Sequence, residues 1–153
     1  MRILMVCLGN ICRSPLAEGI LQHKIDTQKL EDWSVDSAGT GSWHVGDLPD
    51  ERSIDVARKH GIDITGQCGR QFTAGDFDRF DKVLVMDSSN YQNVMKLART
   101  DADRNKVALI MNYDRPGFNE AVPDPYWDDN GFDKVYEMLD RATDKLIRVE
   151  SQP

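Results

Sequence analysis

The chain has 153 residues, 40% of them hydrophobic, and a formal net charge of −7. That is enough apolar sequence for one domain with a buried core, and too acidic overall for a nucleic-acid or anionic-membrane surface, though a local basic site is compatible with it. No apolar run reaches the roughly 20 residues of a membrane helix, and the apolar stretch within Met1–Asn10 is too short for a secretory signal. The expectation is a cytoplasmic protein whose three cysteines are reduced thiols.

Ile3-Leu4-Met5-Val6 is a continuous apolar run, the pattern of a strand buried on both faces. Ser14 as N-cap and Pro15 as first helical residue then open a helix whose apolar face is Leu16, Ile20, Leu21 and Ile25. Trp33-Ser34-Val35 reads as a second strand ending in a turn over Ser37–Thr40. Asp50 to His60 is helical and stopped by Gly61. Val83–Met86 is a buried strand, followed by a helix over about Ser88–Leu97. Val107–Met111 is a further strand, and Asn112–Asn130 a long loop with three of the six prolines. Phe132, Val135, Met138, Leu139, Ala142, Leu146 and Val149 mark a closing amphipathic helix.

Strands alternating with helices predict one α/β domain over residues 1–153, with a central parallel sheet flanked by helices in three layers. Ligands of such sheets bind beyond the carboxyl ends of the strands. The segment CLGNICRSP (Cys7–Pro15), Ser37, Asp87 and the proline-rich loop all fall at that edge.

CLGNICRSP follows the first strand and opens a helix. Loop amides and a helix N-terminus aimed at one point attract an anion. Arg13 adds a planar fork for two phosphate oxygens, and Cys7 at the loop base would sit as a thiolate nucleophile beneath the bound phosphorus. Gly9 lets the backbone bend, Asn10 tolerates a left-handed conformation, and Ser14 can donate to the departing sulfur. A cysteine and an arginine at this spacing are common by chance; the strand, the Gly-Asn and the Ser-Pro around them carry the reading. Asp124, stiffened by Pro123 and Pro125 and flanked by Tyr126 and Trp127, is the candidate acid. Alone it would be an ordinary turn residue, and Trp43 alone an ordinary surface aromatic. Asp87 reads as a helix cap, Cys68 as a small buried hydrophobe, and His23, His44 and His60 as surface or helix-flanking residues without a chemical role.

VCLGNICRSPLAEG (Val6–Gly19) resembles the phosphate-binding loop of the low-molecular-weight protein tyrosine phosphatases. VDSAGT (Val35–Thr40), WHVGDLPDER (Trp43–Arg52), FDKVLVMDSSN (Phe80–Asn90) and VPDPYW (Val122–Trp127) resemble later blocks of that family in the same order, so the likeness spans nearly the whole chain. The resemblance implies hydrolysis of phosphotyrosine through a cysteinyl-phosphate. In it Cys7 is the nucleophile. Arg13 and the loop Leu8, Gly9, Asn10, Ile11, Cys12 hold phosphate, and Ser14 and Ser37 support the loop. Asp124 is the acid, and Leu8, Trp43, Tyr126 and Trp127 form the walls for the substrate ring. It implies an enzyme that takes a phosphotyrosine protein, releases inorganic phosphate and needs no metal or organic cofactor; a monomer is the expectation, though no residue pattern reads out the oligomeric state. It also implies that Cys12 can form a reversible disulfide with Cys7. Many members carry a histidine after the middle helix that anchors the loop asparagine and serine; here GIDITGQCGRQFT (Gly61–Thr73) has none, and Gln67 is the residue available to substitute.

Two other classes are open to the same residues. Arsenate would fit the loop, but the thioredoxin-coupled reductases need two later cysteines, and VLVMDSSN has none. Cys7 and Cys12 with a histidine could ligate zinc, yet their spacing lies outside the usual finger patterns.

Overall fold

Strand β1 (Arg2–Cys7) runs through the middle of a four-stranded parallel sheet of order β2–β1–β3–β4, in a computed structural model that describes residues 1–153. Helix α1 (Arg13–Gln28) leads to β2 (Ser34–Gly39). Helices α2 (Glu51–Lys59) and α3 (Asp76–Arg79) precede β3 (Lys82–Val85). Then come α4 (Ser88–Met95), α5 (Asp101–Asn105), β4 (Val107–Leu109), α6 (Met111–Asp114), a 3-10 turn (Pro125–Trp127) and α7 (Gly131–Glu150).

The apolar run of β1 is buried on both faces because alternate side chains feed two cores. Ile3, Met5 and Cys7 join the larger one, with Leu16, Ile20 and Leu21 of α1, Val56 of α2 and Val135, Leu139 and Leu146 of α7. Leu4 and Val6 join the smaller one, with Phe77 of α3, Val83 and Val85 of β3 and Val94 of α4. Each large apolar side chain so buried contributes roughly 1.5–3 kcal/mol. The three-layer parallel architecture expected from the sequence is the one observed.

Several boundaries differ from the sequence expectation. β2 runs on through Ser37, Ala38 and Gly39, in register with Met5, Val6 and Cys7, where the sequence suggested a turn. Small residues are needed there because a Cβ on Gly39 would lie 2.8 Å from the Leu8 carbonyl and 3.0 Å from the Asn10 nitrogen. Helix α1 begins at Arg13 with Cys12 at the cap position and no side-chain cap; the Ser14 hydroxyl is engaged elsewhere. Pro15 is tolerated because first-turn N–H groups have no helical partner. β4 stops at Leu109, and Met111–Asp114 turns helical where strand and loop were expected. The short helices α3 and α5 were not anticipated. Val149 lies in the last turn of α7 and is exposed, unlike the rest of its predicted stripe. Helix α2 matches its signals: Asp50 caps it by accepting from the Arg52 amide, and Gly61 ends it with φ 76°.

The chain leaves β1 toward α1 on one face and β3 toward α4 on the other. The carboxyl ends of these neighbouring strands open a crevice of the kind that binds ligands in open α/β sheets. Cys7 ends β1, and Asp87 follows β3 by two residues.

Candidate active site

The loop from Leu8 to Cys12 curls over the end of β1. Asn10 has φ 57° and is buried, with every side-chain polar atom used. Its Nδ2 donates to Ser14 Oγ at 2.8 Å and Ser37 Oγ at 3.0 Å, and its Oδ1 accepts from the Arg70 amide at 3.0 Å. These three bonds hold the left-handed turn that wraps the loop around Cys7. The buried Cys7 sulfur accepts from the Asn10 amide at 3.3 Å and lies 3.0 Å from Ser14 Oγ. The Ser14 hydroxyl has a second acceptor, the Ala38 carbonyl, at 3.4 Å.

Arg13 is 3% exposed. Its Nη1 donates to Asp87 Oδ2 at 2.7 Å and to the Val122 carbonyl at 2.9 Å, and Nη2 lies 3.8 Å from Asp124 Oδ2. Asp87 also caps α4, accepting from the Asn90 amide at 2.8 Å. The helix cap is the one role expected for Asp87 from sequence; its bond to Arg13 is not. Asp124 caps the 3-10 turn through its Oδ1, which accepts from the Tyr126 amide at 3.1 Å, while Oδ2 faces Arg13. Arg52 pins this turn: it donates to the Tyr126 carbonyl at 3.0 Å, pairs with Asp50 and Asp129, and lies over the rings of Tyr126 and Phe132. Nothing in the sequence pattern singled out Arg52 for this.

Cys7, Leu8, Ile11, Arg13, Asp124 and Tyr126 line one cleft of about 290 Å³, with Gly9, Cys12, Trp43, His44 and Trp127 completing it. Trp43 and Trp127 are 72% and 88% exposed, so they form the rim. His44 was read from sequence as a surface residue; its ring packs against Gly9 and its Nδ1 lies 3.0 Å from Asp47 Oδ2. The loop carrying Trp43 and His44 is tied to Gly69 by two backbone bonds, Gly46 N–H to the Gly69 carbonyl and Gly69 N–H to the Asp47 carbonyl.

Behind the loop, Ser37 Oγ receives from Asn10 and donates to Glu18 Oε1 at 2.7 Å. Burial pushes the Glu18 carboxyl up to about 7, against the lowering effect of the Ser37 bond. Gln67 does not replace the missing histidine: its Nε2 donates to the Pro15 carbonyl at 2.9 Å, and Ser37 is met by Glu18. Burial, with Asp50 near, pushes the Cys12 thiol up to about 12, so it stays protonated. Cys68 is exposed, not buried as expected, because it follows the exposed Gly66 in a surface turn before the chain dips inward at the buried Gly69. It lines a separate cavity of about 390 Å³ whose Asp26, Asp36 and Asp63 would repel a phosphate.

A loop wrapped around a buried sulfur, with a buried guanidinium beside it, is an arrangement that can hold an anion over a nucleophile. Residues 2–152 match the family model of the low molecular weight phosphotyrosine protein phosphatases. A protein named for that activity in Schizosaccharomyces pombe is 41% identical over 141 residues, 90% of this chain and 89% of its own. Among solved structures, a protein tyrosine phosphatase from Entamoeba histolytica aligns with TM-score 0.90 and 34% identity, over 99% of this chain and 97% of its own. A Drosophila arginine phosphatase aligns with TM-score 0.92 and 35% identity, over 99% of both chains. This chain belongs to the low molecular weight phosphotyrosine protein phosphatase family. Arsenate reduction is not favoured: the relatives are named as phosphatases, and Cys68 lies outside the cleft of Cys7.

Proposed function

We propose that this chain, acting over 1–153 as one domain, hydrolyses phosphotyrosine in proteins and releases inorganic phosphate. The observation that carries the reading is the meeting of Cys7, Arg13 and Asp124 in one cleft. Phosphate oxygens are held by the loop amides and by the Arg13 nitrogens turned away from Asp87. The Cys7 thiolate attacks phosphorus in line, an S–P bond forms and the P–O bond to the phenol breaks. Asp124 in its acid form gives its proton to the leaving oxygen. Its carboxylate then takes a proton from a water, the oxygen of that water bonds to phosphorus, and the S–P bond breaks to return the thiolate. The Ser14 hydroxyl, 3.0 Å from the sulfur, turns its hydrogen from the Ala38 carbonyl to the departing thiolate. Leu8, Ile11 and Tyr126 with the rim tryptophans accept a flat ring. The cysteine chemistry suits a reducing cytoplasm and a monomer needs no partner to complete the cleft. No helix is long and apolar enough to cross a membrane.

The test is phosphate release from matched phosphotyrosine, phosphoserine and phosphoarginine peptides. Activity on phosphotyrosine, abolished in Cys7→Ser and strongly reduced in Asp124→Ala, is the expected result. Faster release from phosphoarginine would transfer the reading to the activity named for the Drosophila protein. No release from folded, reduced protein would sink it.

A further inference from the structure

A second cavity, of about 300 Å³, adjoins the cleft and shares Leu8 and Trp43 with it as a common wall. Its other sides are Thr40, Asn93, Lys96 and Leu97, with the buried Phe72 beneath. We propose that this cavity is the subsite for an acidic residue flanking the phosphotyrosine of a protein substrate. The proposal rests on the phosphotyrosine reading of the adjoining cleft.

Continuity is the first support. A chain whose phosphotyrosine ring enters between Leu8 and Tyr126 must run over one side of Leu8 or Trp43. Extended residues advance about 3.3 Å each, so a side chain one to three positions away reaches the second cavity. Charge is the second. The protein carries −7 overall, yet Lys96 is the one charged residue on this cavity, and its ammonium pairs with no carboxylate. Across the cleft, beyond Trp127, the exposed Asp128 has the opposite sign, whereas Asp129 is neutralised by Arg52. The mouth is therefore polarised, and it orients a peptide with its acid toward Lys96 and away from Asp128. A glutamate fits this lining, its methylenes against Leu8, Leu97 and the Trp43 ring, its carboxylate at Lys96 and the Asn93 amide.

The experiment uses phosphotyrosine peptides that differ by Glu, Ala or Lys at each of the three positions on either side. The readout is the ratio of each peptide's kcat/KM to that for p-nitrophenyl phosphate, which has no flanking residue. In wild-type protein at low salt, Glu at one position should raise that ratio roughly threefold to fivefold over Lys, the range of one exposed ion pair. The gain should shrink as salt is added. Lys96→Glu should reverse the order, favouring Lys at the same position. Equal ratios for Glu and Lys peptides at all six positions, or a preference that Lys96→Glu leaves intact, would overturn the subsite. A protein inactive on p-nitrophenyl phosphate would overturn the phosphotyrosine reading first, and the subsite with it.

Discussion

Arg13 and Asp87 lie 74 residues apart in the chain and meet at 2.7 Å across the ends of β1 and β3. The bond fixes the guanidinium from behind and leaves its other nitrogens to face the cleft. Asp87→Asn keeps a good helix cap and removes the charge. The expected outcome is a fall in kcat/KM of roughly 10- to 100-fold, as for a displaced positioning group, with a thermal midpoint within a few degrees of wild type. Steady-state kinetics beside a melting curve checks it; unaltered kinetics would mean Arg13 is aimed by the Val122 carbonyl and the loop alone.

Asp124 sits at the cleft mouth with one oxygen toward Arg13 and the other on the Tyr126 amide. Asp124→Asn preserves that cap and removes the proton. On phosphotyrosine kcat should drop by about 10²- to 10⁴-fold. For aryl phosphates whose phenols leave easily, the loss should narrow, since those oxygens need little protonation. A plot of rate against leaving-group pKa, for wild type and variant, tests this: parallel lines would remove Asp124 from the acid role.

The parts of this architecture that follow local rules were legible in the sequence. The run Ile3–Val6, the Asp50 cap and the Gly61 stop each depend on residues within one turn or strand. The anion loop could be found for the same reason, being contiguous. What stayed hidden depends on long-range contact. Asp87 holding Arg13, Arg52 pinning the turn after Asp124, and Glu18 beneath Ser37 are pairings between elements. No periodicity encodes them. Ser37–Gly39 looked like a turn because small residues favour turns, whereas here the crowding of the loop above demands them.

That crowding gives a third prediction. Gly39→Ala places a methyl 2.8 Å from the Leu8 carbonyl, a backbone atom that can move only with the whole loop. Stability should fall by about 1–3 kcal/mol, the usual cost of overpacking, and activity should fall further than the loss of folded protein explains, because the displaced atoms are the phosphate ligands' own backbone. Denaturant melts and specific activity corrected for the folded fraction separate the two. Unchanged activity in folded Gly39→Ala would show that the loop yields without losing its shape.

Glu18 gives the last. Burial raises its carboxyl from 4.5 to about 7, so the folded chain holds a proton that the unfolded chain releases. Between those values the folded state binds more protons, and this group's contribution to stability falls as pH rises. It is fully present below about pH 4.5 and lost once pH passes about 7. Glu18→Gln still accepts from Ser37 Oγ and does not titrate. The difference in unfolding free energy, wild type minus Glu18→Gln, should therefore decline across that window and level off above it. Urea melts at closely spaced pH values measure it; parallel curves for the two proteins would mean that Glu18 ionises in the folded state as it does in the unfolded one.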